Sequence, residues 1–77
     1  MNAVRRDRAR SVVERLQDIS VSIEAILDDE QDALDNMPEN LEGSERYSRM
    51  EDAVDFLESA MDLVVSAIDE LNNAVAC

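Results

Sequence analysis

Histidine, lysine and tryptophan are absent from this 77-residue chain. Proline and glycine occur once each, at Pro38 and Gly43, and the one cysteine is Cys77. Each shortage closes off a class of chemistry. Without histidine the commonest general base and metal ligand is gone. A lone cysteine makes neither an intrachain disulfide nor a thiolate metal cluster. A lone glycine makes no glycine-rich phosphate loop. No Ser–His or Cys–His pairing is possible, and no metal triad or cofactor motif is present, so the chain is not expected to be an enzyme or to hold a cofactor. No apolar run approaches the length of a membrane span, and no apolar stretch follows the charged start. A protein of the cytoplasm with no membrane contact is expected.

The charge that is present is one-sided. Nineteen Asp and Glu stand against seven Arg, for a net charge of −12. Arg5, Arg6, Arg8, Arg10 and Arg15 lie in the first fifteen residues, which sum to +3 after Asp7 and Glu14; the other 62 sum to −15. A surface this acidic repels nucleic acid and anionic membrane. Direct nucleic-acid binding is therefore not expected, although Arg5, Arg6, Arg8 and Arg10 are candidates for contact with an anion or an acidic partner.

Apolar spacing gives the fold class: all-α, an antiparallel hairpin of two helices forming a single domain over residues 1–77. From Tyr47 through Met50, Val54, Leu57, Met61 and Val64 to Val75, apolar residues step alternately by three and four, as on one face of a heptad helix. Ser44 is the expected N-cap. The second helix should span about 44–75. The first, about 3–35, carries the spacing more loosely: Ala9, Val12, Leu16, Ile19, Ile23 and Ile26, then Glu30 and Ala33, are its expected seam, with Val13, Leu27 and Leu34 widening the stripe. Pro38 ends the first helix, Gly43 supplies backbone freedom for re-entry, and the turn takes about 36–43, with Leu41 as an apolar plug over that end. Folding residue i onto about residue 80 − i pairs apolar with apolar everywhere except Glu30 with Met50. Glu30 is expected to be partly solvated there or to pair with Arg46 or Arg49.

The second helix has more apolar surface than one partner covers. Ala53, Ala60, Ala67 and Ala74 lie beside its seam, with Phe56 and Leu63 next to them. A chain this short buries only about 60% of its unfolded surface. Ala53, Phe56, Ala60, Leu63 and Ala67 are therefore the expected self-association surface, closing a homodimeric four-helix bundle. A foreign protein is the alternative occupant.

Glu51, Asp55, Glu58, Asp62 and Asp69 form an acidic ridge on the second helix, mostly three or four residues apart. Neighbours at that spacing lie about 5–6 Å apart, a little less than successive phosphates of a DNA strand. Asp28, Asp29, Asp32 and Asp35, with Glu39 and Glu42, add acid at the turn. The run Asp28-Asp29-Glu30-Gln31-Asp32 lacks the Gly and closing Glu of a calcium loop. Such faces often serve solubility alone. The ridge is read so, as an imitation of a nucleic-acid backbone, or as a docking surface for some basic protein.

The stretch Asp35-Asn36-Met37-Pro38-Glu39-Asn40-Leu41, followed by Ser44-Glu45-Arg46-Tyr47 and then Glu51, Ala53, Asp55, Leu57 and Glu58, resembles the short acidic helical-hairpin proteins of phages and other mobile elements in Gram-positive gut bacteria. The resemblance spans roughly residues 20–75 and is most specific at the turn; Phe56 stands where such proteins often carry Asn. It supplies no activity. It implies a mobile-element setting in the cytoplasm of a bacterial host. There a non-enzymatic acidic hairpin is expected to bind a host protein with a basic surface, inhibiting a nucleic-acid-handling or defence factor such as a CRISPR effector. Two alternatives stand beside it: a structural dimerisation adaptor with no inhibitory role, and a nucleotide or nucleic-acid binder acting through the N-terminal arginines.

Overall fold

The computed structural model describes residues 1–77 and contains two long helices and no strand. Helix α1 spans Ala3–Asp35 and helix α2 spans Glu45–Ala76, joined through a short 3-10 turn at Glu39–Leu41. They lie antiparallel in a rod whose Cα envelope measures 59 × 15 × 13 Å.

Each helix begins where a side chain satisfies its free amides. The Arg5 amide donates to Asn2 Oδ1 at 2.8 Å. The Tyr47 amide donates to Ser44 Oγ at 3.2 Å, so Ser44 is the expected cap. At the end of α1 the Asn36 amide donates to the Asp32 carbonyl at 3.0 Å, and Pro38 at φ −58°, ψ 142° turns the chain away. Within the connection the Leu41 amide donates to the Pro38 carbonyl at 2.9 Å, and Ser44 to Leu41 at 3.0 Å.

Two expectations about the turn are corrected. Gly43 does not have a positive φ, and a Cβ there would meet nothing within 4 Å, so its special backbone freedom goes unused. Leu41 is exposed and plugs nothing. Met37, half-buried one residue before the proline, lies closer to the core.

The α2 seam is as expected: Val54 is buried, and Tyr47, Met50, Leu57, Met61, Val64 and Ile68 are half-buried. The α1 seam is rotated by one residue. Ala9 and Val13 are buried, and Leu16, Ser20, Ile23, Leu27, Glu30 and Leu34 are half-buried, whereas Ile19 is 47% and Ile26 is 54% exposed. Ala33 is exposed as well. Leu27 and Leu34 thus replace Ile26 and Ala33 opposite α2, and Ser20 replaces Ile19, while Val12 stays half-buried beside the buried Val13. The reason lies at the loop half: Leu34 has far more apolar surface to remove from water than Ala33. The same rotation turns Arg6 inward, where its stem is half-buried, its Nε donates to the Val75 carbonyl at 3.2 Å and its Nη2 to the Cys77 carbonyl at 2.8 Å. A guanidinium on the last carbonyls of α2 is where the helix dipole favours a cation.

Candidate functional site: two opposed faces

With the seams fixed, the flanks follow. In heptad terms Val13 and Ser20 are a positions of α1 and Ala9 and Leu16 are d; in α2 Val54 is a and Leu57 is d. In an antiparallel pair the two g rows flank one side of the seam and the two e rows flank the other. Tyr47 marks the e side. Its hydroxyl is pushed above its ordinary pKa first by burial and then by the carboxylates of Glu51, Glu42 and Asp35, which brings acids of α2, the turn and α1 around one ring.

The e side, widened by the adjoining b rows, is acidic. From α2 it carries the whole ridge, Glu51, Asp55, Glu58, Asp62 and Asp69, and every member is exposed. From α1 it carries Asp7, Glu14, Glu24, Asp28 and Asp35, exposed as well. Arg10 is the one cation in these rows, and it pairs with Asp7 at 3.2 Å. The only other ion pair in the molecule joins Arg49 to Glu45. Nine carboxylates of this face therefore have no counter-charge, and Asp35 alone among them accepts a side-chain hydrogen bond, from Gln31 at 2.9 Å. The sequence located the ridge on α2; that α1 doubles it on the same side follows only from the rotated seam.

The g side, widened by the c rows, is apolar. Phe56 is 76% and Leu63 70% exposed at c positions of α2, beside Ala53, Ala60 and Ala67. Across the groove, Val12, Ile19, Ile26 and Ala33 are the g row of α1. Five of the seven arginines rim this face: Arg5, Arg8 and Arg15 at the open end, Arg46 and Arg49 near the turn, all exposed. Arg5, Arg8 and Arg15, with Met1, Ala9 and Val12, line a shallow depression of about 400 Å³. None of these three has an acidic partner within the hairpin.

The remaining candidate residues are scattered. Asp29 projects on the apolar side at a c position and Asp32 on its edge, while Glu39 and Glu42 belong to the turn; all four are exposed. Glu30 is half-buried in the seam and pairs with neither Arg46 nor Arg49. No three acidic or thiol side chains come together as a metal site. No helix is long and apolar enough to cross a membrane.

The chain matches no protein-family model, no curated protein and no solved structure.

Proposed function

We propose that the chain is a non-enzymatic, self-associating protein-binding module whose acidic face engages the basic, nucleic-acid-binding groove of another protein and so blocks it. One observation carries the reading: nine exposed carboxylates, drawn from both helices onto one side of a rod, without a counter-charge. Acids placed only for solubility need no such segregation from the arginines. From Glu51 to Asp62 on α2, steps of three and four residues present anions at about 5–6 Å intervals, near the spacing that a phosphate-binding groove is built to receive, and the more widely spaced acids of α1 add charge alongside. The resemblance of the turn to proteins of phages and mobile elements favours a bacterial host protein as target, an anti-CRISPR-like role among the possibilities it fits. A purely structural adaptor leaves the segregation of charge without purpose.

The test is capture from bacterial lysate on immobilised wild-type chain and on an Asp55→Lys, Asp62→Lys, Asp69→Lys variant of equal helix content. Proteins retained by the wild type, released by duplex DNA as competitor and lost from the variant support the reading. Identical retention on both chains sinks it.

A further inference from the structure

The apolar face is too large to be left to water. A folded monomer of 8.6 kDa is expected to expose roughly 4,700 Å². This chain exposes 5619 Å². Its long face, 59 by 15 Å in Cα envelope, has a footprint of roughly 900 Å², close to the ~800 Å² per partner of a stable interface.

The pattern on that face is self-complementary. A two-fold axis at Ile19 of α1 and Ala60 of α2 relates residue i of α1 to about 38 − i of the mate's α1, and residue i of α2 to about 120 − i of the mate's α2. These two residues stand at one level of the rod, because the contacts of Met1 and Arg6 with the α2 terminus put residue i beside about residue 80 − i. On α1 the operation lays Val12 on Ile26 and Ile19 on itself. On α2 it lays Ala53 on Ala67, Ala60 on itself, and Phe56 beside Leu63 twice over. The rim follows suit: Arg8 comes to Asp29, and Arg49 to Glu70. No like charges meet in these rows.

We propose that a second copy of the chain closes this face, laid antiparallel across it with α1 on the mate's α1 and α2 on the mate's α2. The proposal deepens the self-association in the functional reading and rests on it. The parallel alternative puts α1 on the mate's α2. Its rim charges also match, but it sets Phe56 over Ser22 and Leu63 over Arg15. It also brings both turn ends together. Residues 28–52 of each copy hold ten acids against Arg46 and Arg49, a net of −8. The antiparallel arrangement keeps these two charges at opposite ends of the rod. With the small Ala60 on the axis the two α2 helices approach closely, while the four large side chains of Phe56 and Leu63 fill the space on either side of it.

Sedimentation of the wild type over a range of concentrations should give twice 8.6 kDa; a monomer throughout overturns both the self-association and its geometry. Orientation is read by disulfide trapping in a Cys77→Ser background. Ala60→Cys and Ile19→Cys chains, mixed and oxidised mildly, should each cross-link to their own kind, because both positions lie on the two-fold axis. A mixed Ile19–Ala60 cross-link as the main product overturns the antiparallel arrangement while leaving a dimer. Two variants on different helices guard against one substitution disturbing the fold, and circular dichroism of each reports retained helix. Neither result bears on the acidic face, which is judged by its charge-reversal test.

Discussion

At the scale of single residues, Tyr47 reports on the crowding of charge at the turn end. Its ring is half-buried where α2 begins, and burial followed by Glu51, Glu42 and Asp35 holds the hydroxyl proton above the ordinary value of about 10. The sign of the linkage follows. The unfolded chain releases this proton first, so between the two values the folded state binds more protons and stability falls as pH rises. The contribution is fully present below about pH 10 and is lost as pH climbs through the raised folded value. Urea midpoints at pH 9 and pH 11 should therefore drop further for wild type than for Tyr47→Phe. Equal drops in the two chains would show that the ring hydroxyl is as free as in the unfolded state.

At the scale of elements, the sequence resolves α2 and leaves α1 ambiguous. In α2 one apolar row is unbroken from Tyr47 to Val75, so only one face can turn inward, and Ser44 marks its start. In α1 two rows compete, Val12–Ile19–Ile26–Ala33 and Val13–Ser20–Leu27–Leu34, both adjoining Ala9, Leu16 and Ile23. Local spacing cannot choose between them, because the choice depends on the total area α2 removes from water and on Arg6 reaching the α2 terminus. The one-residue rotation that results is what gathers the acids of both helices on one side, so the ridge was legible in the sequence while the full acidic face was not. Both versions keep Glu30 in the seam, level with Met50. There it occupies a half-buried site with no ion pair. Replacing it with Leu should raise stability by about 1–2 kcal/mol, from the apolar area gained and the carboxylate no longer drawn from water. The urea midpoint checks this. An unchanged or lower midpoint would mean that the charge fixes the pairing of the helices, as single polar seam residues do in coiled coils.

At the scale of the whole molecule, the proposed dimer and the proposed partner contact should answer salt in opposite ways. The proposed self-association would bring together two chains of net charge −12. The repulsion would be spread along the full rod, whereas the proposed rim pairs Arg8–Asp29 and Arg49–Glu70 would be exposed and worth about 0–1 kcal/mol each. At 0.5 M salt the screening length falls to roughly 4–5 Å, less than the separation of the two acidic faces on either side of the bundle, so their repulsion fades while apolar burial stays. Dimer dissociation constants from sedimentation should thus fall between low and high salt. Binding of a basic partner to the acidic face should weaken over the same range, as attraction between unlike charges is screened. Finding both affinities moving together would mean that one surface serves both contacts, and the division of the rod into a self-pairing face and a partner-binding face would fail. Opposite slopes would assign the two roles to two sides of the hairpin, with the seam residues Val13, Leu27 and Leu34 holding the sides apart.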